Sequence, residues 1–137
     1  MLSNKIDIRV YYEDTDAGGI VYYSNYLKYA ERSRTELLRE IGVSQYELSN
    51  RHNIKFIVHS LSIKYMNPAF LDDILTVETS ICDLKKASVE FSQKVFRKDE
   101  NVKIDIIDSK CKIVSIDNKN NVKPIPEAIL KEFSKKI

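Results

Sequence analysis

Cysteine and histidine are scarce in this chain: Cys82, Cys111, His52 and His59 are all that 137 residues contain. No two of them stand at the spacing of a zinc site, so no metal site is expected. The cysteines fall far apart in segments that read as strands and are expected to be buried, reduced thiols and not a disulfide. No apolar run approaches the roughly 20 residues needed to cross a bilayer. The amino terminus, Met-Leu-Ser-Asn-Lys-Ile-Asp, carries no apolar run of signal-peptide length, so cytoplasmic residence is the expectation. An excess of one charge is also missing. Lys and Arg number 22 against 20 Asp and Glu, a net charge of +2. That balance gives no general attraction to nucleic acid, and an anionic partner would have to meet a local patch. Internal repeats, low-complexity tracts and linkers are absent.

What is present is the composition of one folded unit. The chain is 43% hydrophobic and 31% charged, enough to bury a core and too apolar for disorder. A single domain over residues 1–137 is the natural reading. Residues 5–12 alternate, with Ile6, Ile8, Val10 and Tyr12 on one side, as a half-buried strand does. From Ser24 the period becomes helical. Tyr26, Tyr29, Ala30, Ser33, Leu37 and Ile41 share a face, Ser24 or Asn25 can cap the start, and Gly42 suits the position past the end. Ser44-Gln-Tyr-Glu47 is a capping-box pattern that starts a second helix running to about Arg51. Alternation then returns. Ile57, His59, Leu61, Ile63 and Tyr65 are expected on one face, which would make His59 a core or interface histidine. Strands through Leu75–Ile81, Val89–Val95 and residues 103–117 follow, with Lys98-Asp99-Glu100-Asn101 as a hairpin turn. Ile106-Ile107 breaks phase, as a bulge does. Pro126 opens a short terminal helix. The order β-α-α-β-β-β-β-α, with one long helix and mostly hairpin-linked strands, implies an α+β fold in which an antiparallel sheet wraps a helix.

The chemistry gathers in residues 11–41. Glu13, Asp14 and Asp16 close the first strand, Ala17-Gly18-Gly19 turns the chain, and a helix begins near Tyr23–Asn25. Acids before glycines are common in ordinary turns. A carboxylate beside a glycine turn and a helix N-terminus also has the parts needed to attack a carbonyl. The carboxylate serves as base or nucleophile, and free backbone N–H groups at the helix end stabilise the oxyanion.

The segment RVYYEDTDAGGIVYYSNYLKYAERSRTELLR (residues 9–39) resembles the signature of the hotdog-fold acyl-CoA thioesterases. The similarity is to the YbgC-like, Tol-Pal-associated branch of the 4-hydroxybenzoyl-CoA thioesterase superfamily. It continues through YMNPAFLDDILTVET (residues 65–79) and more loosely to about Ile116. The resemblance implies a hotdog fold and hydrolysis of an acyl-CoA, or acyl carrier protein, thioester without metal or organic cofactor. It implies Asp16 as the catalytic carboxylate and the Tyr23 backbone N–H as the donor to the thioester oxygen. Many members of the branch carry histidine where this chain has Tyr23; a backbone donor survives that change, and a histidine proton-transfer role does not. Gly18 and Gly19 allow close backbone approach. Tyr26 is expected to line the acyl channel, within a tyrosine set (Tyr12, Tyr22, Tyr23, Tyr26, Tyr29, Tyr65) expected to be mostly core. Lys85, Lys86 and Ser88 form a basic connection that also reads as a solvated turn. By resemblance it meets the phosphates of coenzyme A, for which lysine is a mobile point charge. An uncovered sheet edge has to be protected, and the resemblance implies that a homodimer or homotetramer does so. Two other classes stay open: an acyl-binding scaffold, and a hydratase or dehydratase, which would need a histidine in the glycine-turn motif.

Overall fold

The alternating stretches become strands and the 3.6-residue period becomes the long helix, in a computed structural model that describes residues 4–137. The order is β1 (Asn4–Arg9), a 3₁₀ turn (Tyr12–Asp14), α1 (Asn25–Glu40), α2 (Gln45–His52), β2 (Lys55–Tyr65), β3 (Ile74–Leu84), β4 (Ser88–Asp99), β5 (Val102–Ile116) and α3 (Glu127–Ser134). The five strands form one antiparallel sheet in the order β1-β3-β4-β5-β2. α1 lies on its inner face. This is the expected α+β hotdog arrangement. No helix among the described residues is long and apolar enough to cross a membrane.

Helix α1 has 16 residues, about 24 Å at 1.5 Å per residue. Its stripe of Tyr26, Tyr29, Ala30, Ser33, Leu37 and Leu38 is buried. Opposite it lie inward residues of the central strands, among them Leu75, Val77 and Ile81 of β3 and Val89, Phe91 and Val95 of β4, each at most 2% exposed. Truncating one of the larger of these would cost about 2–5 kcal/mol. The helix ends as Gly42 predicts. Gly42 takes φ +82°, and the amides of Gly42 and Val43 close back on the carbonyls of Arg39 (3.0 Å) and Leu38 (2.8 Å), a Schellman ending. The second cap also forms: Ser44 Oγ accepts from the Glu47 amide at 3.4 Å.

Three bulges set which side chains face inward. Ile106 is the extra residue on β5 opposite Val95 and Phe96, where the sequence breaks phase. His59 is the extra residue on β2. It shifts the alternation, so Ile57 pairs with Val114 on the outer face while Leu61, Ile63 and Tyr65 pair with inward Cys111, Ser109 and Ile107. The expectation that Ile57, His59 and Leu61 share a face is therefore corrected, and His59 is exposed. Cys82 is the extra residue on β3. Cys111 is buried as expected but Cys82 is exposed, because it follows inward Ile81 and alternation points it outward, while the bulge beside it seats Leu84 and not Asp83 opposite Val89.

The first strand also ends early. Asp14 Oδ2 accepts from the Tyr11 amide at 2.8 Å, and this local side-chain bond pulls the chain into a 3₁₀ turn. Tyr12 is left 81% exposed. Only Tyr26 and Tyr29 of the expected tyrosine core are buried, while Tyr22, Tyr23 and Tyr65 line the surface.

The β4–β5 hairpin turns on Glu100 and Asn101, both at positive φ (50° and 69°), the geometry of a type I′ turn that favours Asn-Gly. Replacing Glu100→Asn together with Asn101→Gly should stabilise the chain by about 0.5–2 kcal/mol. Urea denaturation would show this as a higher midpoint at unchanged slope.

Candidate active site

Asp16 stands at the tip of a small hairpin that its own side chain organises. Its carbonyl accepts from the Gly19 amide (3.0 Å) and its amide donates to Ile20 O (2.8 Å). Its Oδ1 accepts from the Gly18 amide at 2.8 Å and from Ile20 at 3.4 Å. Both glycines suit this geometry. Gly19 sits at φ +77°, and a Cβ on Gly18 would meet Asp16 Oδ1 at 3.3 Å. One carboxylate oxygen is thus fixed to the turn. The other makes no hydrogen bond among the described residues, and the residue is exposed.

The turn is clamped to its neighbours by backbone. Thr15 bridges Val21, and Ile20 bridges Phe70. Val21 N donates to Ala69 O at 2.9 Å, and Val10 N donates to Asp73 O at 2.9 Å. Arg9 Nη1 reaches Asp72 O at 2.6 Å. The segment Pro68–Asp73 is held in turn by Asp73, whose Oδ2 accepts from the Phe70 amide at 2.8 Å. The two signature stretches of the sequence are therefore one structural unit: residues 65–79 form the floor on which the Asp16 turn rests.

The N-terminus of α1 adjoins this turn. The Asp14 carbonyl accepts from Tyr22 N (2.9 Å) and from Asn25 Nδ2 (2.7 Å), which joins strand end to helix start. Asp14 thus shapes the turn. The expected cap is corrected here: Ser24 makes no side-chain cap bond, because its backbone is already helical and Asn25 is turned towards Asp14. Among the described residues the Tyr23 amide donates to no backbone or side-chain acceptor. It is left free at the positive end of the helix dipole. Tyr65 Oη donates to Tyr23 O at 3.2 Å, so β2 braces this end. A row of rings follows, Tyr23–Tyr65 at 6.3 Å, Tyr65–Tyr26 at 5.9 Å and Tyr26–Tyr29 at 6.0 Å. Burial pushes the Tyr26 hydroxyl up to about 12, so it stays protonated at neutral pH. Burial also raises Tyr29, with Asp14 adding to the shift.

Tyr26 borders a cavity of about 80 Å³ between α1 and the sheet, where the acyl channel is expected. Lys85, Lys86 and Ser88 lie elsewhere. They join β3 to β4, and Lys85 N donates to Ser88 O at 2.9 Å. Lys85 and Lys86 edge a groove of about 710 Å³ against α3 with Leu84, Pro124 and Leu130. β3 has 11 residues, so the lysines and the Asp16 turn are at opposite ends of a strand roughly 35 Å long. One protomer does not bring them together.

Sequence reading missed the polar set under α1. Gln93 is 1% exposed and donates to Ala30 O (2.9 Å) and Thr79 Oγ1 (2.8 Å). Thr79 meets Ser33 at 2.6 Å, and Arg34 donates to Gln93 Oε1 at 2.8 Å. The signal was available: Gln93 occupies an inward position of the alternation between Phe91 and Val95.

Comparison with known proteins agrees with this architecture. The model of the thioesterase-like superfamily matches residues 10–133. The acyl-CoA thioesterase YbgC of Haemophilus influenzae is 46% identical over 99 residues, covering 71% of this chain and 73% of that protein. The acyl-CoA thioester hydrolase YbgC of Escherichia coli O6:H1 is 35% identical over 127 residues, 92% of each chain. Among solved structures, the 4-hydroxybenzoyl CoA thioesterase of Pseudomonas sp. strain CBS-3 has the same fold, with a TM-score of 0.87 at 20% identity over 95% of this chain and 98% of that one. On these matches and this fold the chain belongs to the hotdog-fold acyl-CoA thioesterases, the family of YbgC and 4-hydroxybenzoyl-CoA thioesterase, and is a thioester hydrolase.

Proposed function

We propose that this protein hydrolyses acyl-CoA thioesters with Asp16 as the reactive carboxylate and the Tyr23 backbone N–H as oxyanion donor. The observation that carries this reading is a carboxylate with one oxygen fixed and one free, on a clamped turn beside an unused helix N-terminal amide. As general base, Asp16 takes a proton from water, the oxygen adds to the carbonyl carbon, and the C–S bond breaks as the thiolate takes up a proton. As nucleophile, its free oxygen displaces the thiolate to form a mixed anhydride, which water then cleaves. In either route negative charge grows on the carbonyl oxygen, where the Tyr23 amide and the helix dipole oppose it. The side chain at position 23 is not needed for that role.

Pairing of two copies through β2 supports the substrate route. β2 is a sheet edge, and its Tyr65 end is the Asp16 end while its Lys55 end is the Lys86 end. A two-fold axis across antiparallel β2 strands sets the Asp16 end of one protomer beside the Lys85–Lys86 end of the other. An extended pantetheine arm would then run from carbonyl to phosphates across the interface. Acyl carrier protein offers the same arm and is the alternative thiol carrier. Two free cysteines fit a reducing cytoplasmic setting.

Thiol release across a panel of acyl-CoAs tests the reaction. Free CoA without change at the β-carbon is expected; binding without release would mean an acyl-binding scaffold, and addition of water at the β-carbon a hydratase. Replacing Lys85 and Lys86 together by Ala is expected to raise KM for acyl-CoA and flatten its salt dependence while kcat holds. Contacts to phosphate are similar in ground and transition states. A collapse of kcat at fixed KM would refute the phosphate role.

A further inference from the structure

We propose that Arg34 reads the far end of the acyl group, and that the preferred substrates are thioesters of medium-length aliphatic chains ending in a carboxylate. The inference rests on the thioesterase reading above and narrows its substrate class. Arg34 is half-buried on α1, and among the described residues no carboxylate forms an ion pair with it. A guanidinium carries five N–H donors. One is engaged, by Gln93 Oε1 at 2.8 Å. Gln93 is itself fixed, since its amide nitrogen is bound to Ala30 O and Thr79 Oγ1. The network holds the guanidinium in place without neutralising it, and a partly desolvated cation of this kind favours an anionic partner in bidentate geometry.

The space beside it has matching chemistry. Tyr26, Arg34, Leu61, Gln93, Ser109 and Cys111 line the cavity of about 80 Å³. Burial raises the Cys111 thiol, which leaves an uncharged wall and Arg34 as the charged group. This space is smaller than the roughly 150 Å³ cavity that admits benzene and suits a narrow chain end. Tyr23 lies two residues before α1, and Arg34 stands nine positions into the helix from Asn25, about 14 Å along the axis. Its side chain leans back towards the helix N-terminus. Roughly 10 Å then separates the oxyanion donor from the guanidinium, the reach of an acyl chain of about six to eight carbons.

The test compares adipoyl-CoA and suberoyl-CoA with hexanoyl-CoA and octanoyl-CoA in the wild type, Arg34→Gln and Arg34→Lys. The wild type is expected to favour the carboxylated member of each pair by at least about tenfold in kcat/KM. Arg34→Gln should lower kcat/KM for suberoyl-CoA by about 100-fold and leave octanoyl-CoA within about threefold, because only the buried charge has lost its partner. Arg34→Lys should restore part of the preference. A wild type that prefers octanoyl-CoA, or an Arg34→Gln loss equal on both substrates, overturns the proposal. So does a change of molecular mass in light scattering, which would make Arg34 an ion-pair partner for a second copy. Calorimetric titration with free suberate and octanoate separates this inference from the thioesterase reading. If no thioester is cleaved, Arg34-dependent binding of suberate still upholds the pocket, and equal or absent binding of both acids refutes it.

Discussion

Asp16→Asn is expected to lower kcat on the best acyl-CoA by about 10²- to 10⁴-fold, the range lost with a positioned general base. A nucleophilic role would cost more. The substitution is close to isosteric. The amide oxygen can still accept from the Gly18 amide, now at 2.8 Å from Oδ1, so the turn should persist and the change in stability should stay within about 0.5 kcal/mol, as at other exposed positions. What disappears is the negative charge and the basicity of the free oxygen. Asp14→Asn is the internal control: that carboxylate accepts from the Tyr11 amide and shapes the entry to the turn, so a milder loss is expected. Tyr23→Phe should be milder still, because its proposed donor is backbone. Thermal melts by circular dichroism run beside the kinetics separate chemistry from unfolding. If the Asp16 variant keeps more than about a third of wild-type kcat with an unchanged melt, the carboxylate is a turn former and the assignment fails.

The fold was legible in the sequence wherever one periodicity ran unbroken. α1 shows its buried stripe from Tyr26 to Leu37, and Gly42 and Ser44 mark helix ends because each has one job that its residue type does best. Bulges were legible only where they leave two apolar residues in succession, as at Ile106-Ile107. His59 and Cys82 sit in stretches that still alternate on paper. Nothing in a polar or small residue announces that it is the one without a partner across the ladder, so the face of Ile57 could not be read, whereas Cys82 follows inward Ile81 and faces outward by plain alternation. The tyrosines failed for a different reason. A phenol is half apolar, so helical spacing identifies Tyr26 and Tyr29 as core, but Tyr22 and Tyr23 precede the helix and obey no period. Their exposure, 48% and 60%, follows from the turn that frees the Tyr23 amide. In the site, the carboxylate-glycine turn could be read directly, since Asp16, Gly18 and Gly19 act on one another within a few residues. The Arg34–Gln93 contact joins residues 59 apart in the chain, and only the register of β4 brings it under α1.

Strand β2 is expected to be the assembly edge, and breaking it should abolish activity together with the oligomer. Its free side presents a row of unpaired backbone groups, which a monomer would have to blunt. It does not: Ile57, Val58 and Leu61 are 43%, 54% and 41% exposed. The opposite edge, β1, is short and carries Lys5, Asp7 and Arg9 among its residues, the charged pattern that discourages pairing. Light scattering at micromolar concentration should therefore give two or four times the 15.9 kDa chain mass. Replacing Ile57 and Val58 together by Asp puts a carboxylate on each face of β2 at exposed apolar positions of the proposed seam. Loss of buried apolar area and desolvation of the new charges should act in the same direction. The expected result is a folded 15.9 kDa monomer whose kcat/KM falls by about 10²-fold or more, because the Asp16 end loses the neighbouring protomer that holds its substrate in register. Val102→Asp is the control, the same change at a residue 62% exposed beside the β4–β5 turn and away from the edge, and it should leave mass and activity unchanged. A wild type that scatters as a monodisperse 15.9 kDa species would refute the assembly. A monomeric Ile57–Val58 variant with full activity would instead place the whole substrate site within one chain, which the separation of Asp16 from Lys85 and Lys86 along β3 argues against.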